Sequence, residues 1–416
     1  MKKALLMISI MALTTITVMA ENIKIGVISS LSGPVAIYGQ TTYNGVKLAV
    51  DKLNAAGGIN GNKVELIVED DKGDPAEAVT AAKRLISEKK VIAILGPTIS
   101  STCLAVAPIA QQNKVPMLTA TGTNIKITDA GDYIARTCFI DPFQGAVMAK
   151  FGLENLKAKT AVIIKDVNSD YSEGLADEFV KVFEKNGGKI LDTVAYATND
   201  VDYSSQLTKV KSLNPDVIFV PGYYNEVSLL IKQARDLQIK SKFLGGDGWD
   251  NGKLFEIAGS AVLGSYISSH FSPESQDPLI QNFLADYRKS FKEEPSVLSA
   301  LGYDAAGIML ESVKNAKALT GEDIKNNINA TKGYKGVTGV ITLDEKRNAI
   351  KSAFVLEAKD GGFKYYATIE PFTVDETSAP AGEADSKAKK DNKGTMILIV
   401  IVAVLAAGIF VAKKKK

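Results

Sequence analysis

Between residues 21 and 372 the chain repeats one unit: a short apolar run rich in β-branched residues, a tight polar loop, then a helix-like segment. Residues 91–102 state it most compactly. Val91, Ile92 and Ile94 mark a buried strand, Gly96-Pro97 stops it, and Ser100, Ser101 and Thr102 stand where a helix begins. Hydroxyl residues at a helix start offer donors to orphan backbone groups or to an anion held by the helix dipole.

Strand-like runs at 23–29, 63–69, 91–95 and 115–118 alternate with helix-like segments at 38–55, 74–88 and from 101 onward. Strands that alternate with helices form a parallel sheet covered on both faces. After a break near 140–142 the pattern restarts, with strands at 161–165, 189–195, 217–220 and 243–244 and helices from 142, from 171 and over 225–237. The spacing predicts two similar α/β halves. Helices at 278–290, 296–314 and 322–329 and strands at 340–343, 352–356 and 363–366 complete the body. The pattern alone does not assign these last elements to a half.

Ligands of open parallel sheets bind beyond the carboxyl ends of the strands. In the first half those ends carry the loops 29–33, 96–101 and 119–123, rich in Gly, Ser and Thr. In the second they carry 166–171, 221–224 and 245–249, rich in Tyr and Asp and holding the single tryptophan, Trp249. One set offers hydroxyl and amide donors, the other aromatic walls and carboxylates. A small molecule with an anionic end, a cationic end and an apolar part suits a cleft between them.

The two ends read differently from the body. Residues 1–20 have the charged start, apolar run and small-residue cleavage site of a secretory signal, cut after Ala20. Residues 373–395 read as a flexible linker and 396–412 as a transmembrane helix, and the lysines at 413–416 form a cytoplasmic tail under the positive-inside rule. The expected location is therefore extracytoplasmic, anchored to the membrane by the C-terminal helix. Lys+Arg number 49 against 47 Asp+Glu, and six of the lysines sit at the two ends, so the interior is slightly acidic and carries no nucleic-acid footprint. Cys103 and Cys138 lie in apolar surroundings and read as two buried free thiols.

Enzyme chemistry finds little support. No Gly-x-Gly-x-x-Gly follows the first strand, no Walker lysine follows Gly96, no His/Cys metal cluster is present, and the one histidine, His270, reads as structural. No cofactor or metal is expected.

The stretches Gly26-Val27-Ile28-Ser29-Ser30-Leu31-Ser32-Gly33-Pro34, Asn54-Ala55-Ala56-Gly57-Gly58-Ile59-Asn60-Gly61, Asp70-Asp71, Asp74-Pro75, Tyr171-Ser172-Glu173-Gly174 and Gly246-Asp247-Gly248 resemble those of periplasmic branched-chain amino-acid-binding proteins of ABC transporters. The resemblance spans nearly all of 21–372. It implies the type I periplasmic-binding-protein fold: two Rossmann-like lobes joined by three hinge crossovers, lobe 1 being 21–141 with 271–349 and lobe 2 being 142–270 with 350–372. It further implies that Ser100, with Ser101 beside it at the helix start, and Thr123 hold a ligand carboxylate. Thr121 would meet the ammonium through its backbone, and Asp247 would be the acidic partner of that ammonium. Tyr171 and Tyr223 would reach in from lobe 2, and Tyr38 would wall the side-chain pocket. The implied function is delivery of a neutral, branched-chain amino acid to a permease and its ATPase. A tethered amino-acid sensor or a binder of a related amide or carboxylate is the alternative. Relatives with a disulfide near the positions of Gly73 and Ile99 differ from this chain, which has Cys at neither.

Overall fold

A computed structural model of the chain describes residues 22–372. The first sheet is formed by β1 (Ile23–Ser29), β2 (Val64–Asp70), β3 (Ala93–Leu95), β4 (Met117–Thr119) and β5 (Ile134–Arg136), all parallel, in the order β2-β1-β3-β4-β5. Its crossover helices are α1 (Ala36–Ala55), α2 (Pro75–Arg84) and α3 (Ser100–Gln112). The Asp74-Pro75 signal starts α2 as local chemistry requires: the Asp74 carboxylate accepts from the N–H groups of Ala76 and Glu77 at 2.8 and 3.0 Å, and Pro75 gives up only an N–H that the helix would leave unbonded.

The second sheet begins after α4 (Asp141–Glu154). Its parallel strands are β6 (Thr160–Asp166), β7 (Lys189–Tyr196), β8 (Val217–Phe219), β9 (Lys242–Gly245) and β10 (Tyr266–Ser269), interleaved with α5 (Asp170–Lys185), α6 (Ser204–Leu213), α7 (Tyr224–Asp236) and α8 (Gly252–Ala258). The chain then forms α9 (Pro278–Phe291), α10 (Val297–Lys314), α11 (Gly321–Asn329) and a small sheet of β11 (Tyr334–Gly336), β12 (Gly339–Leu343) and β13 (Ala349–Ile350). It ends in the antiparallel hairpin β14 (Ala353–Lys359) and β15 (Gly362–Ile369), which extends the second sheet to β15-β14-β10-β9-β8-β6-β7.

Each sheet has a core on both faces. One core packs the first sheet against α1, α9 and α10, and a second packs it against α2 and α3. The second sheet packs against α4 and α5 on one side and α6, α7 and α8 on the other. The cores also show where the chain changes sheets. Cys138 belongs to a first-sheet core and Phe139 to a second-sheet core; Ile267 and Phe271 divide likewise, as do Ala349 and Ala353. Strand order reverses between β1 and β3 in one sheet and between β6 and β8 in the other. These are the switch points where a crevice opens.

The expected fold class needs one correction, the C-terminal transmembrane helix. Among the described residues no helix is long and apolar enough to cross a membrane. The longest, α1, has 20 residues but carries Lys47, Asp51 and Lys52 on its solvent side. Its apolar residues are buried by α9 and α10, so it is a core helix of an α/β protein built on two main sheets. The segments 1–20 and 373–416, with the expected signal, linker, anchor and tail, lie outside the described residues.

Helices α1 and α10 approach closely because two glycines face each other's backbone. A Cβ at Gly45 would lie 1.9 Å from the Ser299 carbonyl oxygen, and one at Gly302 would lie 2.2 Å from that of Thr42. Backbone cannot yield as a flexible side chain does, so Gly45→Ala should destabilise the protein by about 1–3 kcal/mol through overpacking. Urea unfolding measures this, and an unchanged midpoint would show that the helices have room for the methyl group.

Candidate functional site

The first-sheet side of the site is held by loops that bond one another. Gly96 leaves β3 at φ +101°, where a Cβ would sit 2.1 Å from the Ile28 carbonyl oxygen, so only glycine fits this turn. The Thr119 hydroxyl donates to the Pro97 carbonyl at 2.8 Å and accepts from the Gly122 N–H at 3.0 Å. The Thr121 hydroxyl donates to the Thr98 carbonyl, and the Ser29 and Thr98 hydroxyls pair at 3.0 Å. Helix α3 starts on this platform. Its N-cap residue is Ile99, and no side chain caps its first turn. Ser100 therefore lies inside the helix, with its Oγ accepting from the Asn124 N–H at 3.3 Å. An uncapped first turn presents backbone N–H groups and the positive end of a dipole. Thr123 is buried, and its Oγ1 has no hydrogen-bond partner.

The second-sheet side centres on Asp247, just beyond β9. Tyr171, in the first turn of α5, donates its hydroxyl to Asp247 Oδ1 at 2.9 Å and accepts from the Gly248 N–H at 3.1 Å. His270 Nε2 lies 3.0 Å from Asp247 Oδ2. Tyr223 stacks on Tyr171 with ring centroids 5.2 Å apart and 15° between planes.

Tyr38 of α1 reaches from the first side to the second. Its hydroxyl donates to the Gly248 carbonyl and accepts from the Tyr224 N–H at 2.9 Å. Asn124 Nδ2 donates to the Asp170 carbonyl at 2.7 Å, and Asn225 Nδ2 to the Pro34 carbonyl at 2.8 Å. A cavity of about 30 Å³ remains, lined by Tyr38, Ile99, Ser100, Tyr223, Asp247 and Leu298 among others.

Of the residues expected from sequence, Tyr38, Ser100, Thr121, Tyr171, Tyr223 and Asp247 line this one cavity. Ser101 and Thr123 do not. The Ser101 hydroxyl turns to accept from the Asp170 N–H at 3.4 Å, and Thr123 lies buried outside the wall. Thr98, Ile99 and Gly248, from the expected loops 96–101 and 245–249, and Leu298, from outside any expected loop, also line it. Trp249 is fully buried, donating its indole N–H to the Val220 carbonyl at 2.9 Å in a core of the second sheet. Cys103 and Cys138 are free and buried. A larger groove of about 510 Å³ lies between α10, α11 and β11, but exposed Glu311, Asn315, Lys332 and Lys335 line it and none of the expected site residues reaches it.

Burial governs the protonation states. It holds the Tyr38, Tyr171 and Tyr223 phenols neutral, far above the ordinary tyrosine range. It pushes Asp250 up to about 6 and Asp141 up to about 7, the negative charge of Asp247 adding to both shifts. The site thus presents one acidic side chain to its cavity, Asp247, opposite an uncapped helix start. That arrangement can hold a zwitterion.

The family profile described as periplasmic binding protein matches residues 22–362, and the chain belongs to that family. The Leu/Ile/Val-binding protein BraC3 of Rhizobium johnstonii is 33% identical over 350 residues, covering 82% of this chain and 92% of the relative. The crystal structure of a leucine-binding protein LivK from Thermotoga maritima is 39% identical with a TM-score of 0.81, covering 84% of this chain and 99% of that one. LivJ of Streptococcus pneumoniae, solved in complex with isoleucine, is 34% identical with a TM-score of 0.79, covering 85% and 99%. These relatives bind solutes and are not enzymes, and this chain is a binding protein of the same kind.

Asp141 yields a pH prediction. The unfolded chain releases its proton near the ordinary value of 3.8, the folded protein only near 7. Between those values the folded state binds more protons, so this group lowers stability as pH rises. Asp141→Asn removes that loss. The thermal midpoint of the variant minus that of the wild type should climb from pH 4 to pH 7 and then level off. A difference that stays flat with pH would show that Asp141 ionises normally.

Proposed function

We propose that this chain is the extracytoplasmic substrate-binding component of an ABC importer, and that its ligand is a neutral, branched-chain amino acid. The observation that carries the ligand class is a single cavity with the uncapped start of α3 on one side and Asp247 on the other. The ligand carboxylate would be held at Ser100 and the first-turn N–H groups, with Thr123 behind them. The ammonium would meet Asp247 and the Thr121 backbone, and the side chain would face Ile99, Leu298 and the rings of Tyr38 and Tyr223. The names of the relatives, which bind leucine, isoleucine or valine, support the side-chain class.

We take residues 21–141 with 271–349 and 142–270 with 350–372 as the two moving lobes. Ligand entry requires them to part, since about 30 Å³ is room for no more than a water. Parting breaks the Tyr38–Gly248, Asn124–Asp170 and Asn225–Pro34 bonds, and a ligand touching both sides favours their return. The closed form is what a permease and its ATPase would receive.

Asp247→Asn tests the assignment. It keeps shape and removes charge, so leucine affinity should fall by about ten- to a thousandfold. Affinity for 4-methylpentanoate, the same molecule without its amine, should change little or improve. Calorimetry on the full chain reads both. An equal loss for the two ligands would make Asp247 a loop support, and a wild type that prefers the des-amino acid would remove the amino-acid assignment.

A further inference from the structure

His270 is the only histidine in the chain. It stands where the backbone passes from the second sheet to the first, between Ile267 of one core and Phe271 of another. Its ring is fully buried and held by two contacts. Nε2 lies 3.0 Å from Asp247 Oδ2, and the ring stacks on Phe139 with centroids 3.4 Å apart and 19° between planes. Phe139 stands at a different crossover, next to Cys138. His270 Nδ1 has no hydrogen-bond partner.

This pattern selects one protonation state. An imidazolium would bury a second N–H donor at Nδ1 with nothing to accept it. The tautomer protonated at Nδ1 would do the same and also turn the Nε2 lone pair toward a carboxylate. The neutral Nε2–H tautomer gives its one donor to Asp247 and leaves only a lone pair unpaired, the least costly choice. Burial agrees, pulling the ring's pKa down to about 4 despite the pull of Asp247 in the other direction.

We propose that His270 is a positioning residue: its neutral Nε2–H fixes the Asp247 carboxylate, whose other oxygen Tyr171 holds, and its stack on Phe139 ties that carboxylate to two crossovers. The ligand amine then meets a carboxylate already oriented and already coupled to the hinge. The amine half of this proposal rests on the ligand reading above; the donor half does not.

Because there is one histidine, the imidazole nitrogen spectrum of the ¹⁵N-labelled full chain is unambiguous. It should show a protonated Nε2 and an unprotonated Nδ1 throughout pH 5–8, with the Nε2 signal moved by Asp247→Asn. A protonated Nδ1 in that range, or an Nε2 signal indifferent to Asp247→Asn, overturns the proposal. Affinity supplies the second arm. His270→Phe keeps a ring to stack on Phe139 and removes the donor, whereas His270→Gln keeps a donor near the Nε2 position. His270→Phe should weaken leucine binding about tenfold or more and 4-methylpentanoate binding by less than about twofold. His270→Gln should restore most of the leucine affinity. Equal losses for both ligands, or no rescue by Gln, would make His270 a packing residue only. A wild type without preference for leucine would defeat the ligand reading and the amine half with it, while the nitrogen spectrum still decides the donor. Should His270→Phe fail to fold, the spectrum and the Gln variant carry the test.

Discussion

A carboxylate placed where water hardly reaches is the constraint to which the site answers. Asp247 is 7% exposed, and leaving a charge so buried without partners costs several kcal/mol. Tyr171 and His270 each donate to one of its oxygens, which keeps the charge tolerable without cancelling it. A lysine or arginine here would satisfy Asp247 completely and leave nothing for a ligand to do. Two neutral donors leave lone pairs free for a cation. The same economy explains the opposite wall, where Ile99 stands at the N-cap position of α3 and has no oxygen to offer its first turn. Both ends of the cavity are polar and both are incompletely satisfied, which is the arrangement that the proposed zwitterionic ligand would complete.

The proposed closure rests on bonds that are individually weak. A neutral hydrogen bond contributes about 1 kcal/mol net, so the few that span the cleft make closure responsive to a ligand without locking it. Tyr38 matters most among them because one hydroxyl engages both the Gly248 carbonyl and the Tyr224 N–H. Those groups lie beyond β9 and at the start of α7, so one atom from the first sheet draws two loops of the second into register.

Much of this was legible in the sequence, and the reasons are local. Loops 96–101 and 119–123 announce themselves by glycines and hydroxyls that short strands leave at their carboxyl ends, and the Asp74-Pro75 helix start reads directly from chemistry. Ser100 and Ser101 looked alike because composition carries no helical phase; a 100° step sends one to the cavity and the other to Asp170. Strands β5 and β10 are not evident in the sequence, as Ile-Ala-Arg and Tyr-Ile-Ser-Ser lack the continuous apolar runs that mark the equally short β3 and β8. His270 falls at an expected boundary between lobes but reads as structural, because the sequence does not show that its ring reaches Asp247, and Leu298 is one apolar residue among many on α10. The apolar run near the C-terminus and the lysines after it invited a membrane-spanning reading. The fold class rests instead on the amphipathic, charge-bearing helices of the described body, none of which can span a membrane.

The seam between α1 and α10 joins fold to selectivity. Tyr38 precedes Gly45 by seven residues, two helical turns, so both lie on one face of α1. Leu298 precedes Gly302 by four residues, a single turn, and shares a face of α10 with it. The glycines that let the helices touch are therefore aligned with the side chains that wall the cavity. The distance between the helices is fixed mainly by backbone meeting backbone. A pocket formed between these walls around a ligand can discriminate among similar apolar groups only if its walls hold still, and a methylene more or less in such a pocket is worth about 1–3 kcal/mol. Close backbone packing between α1 and α10 thus lies directly behind the wall that has to measure the ligand.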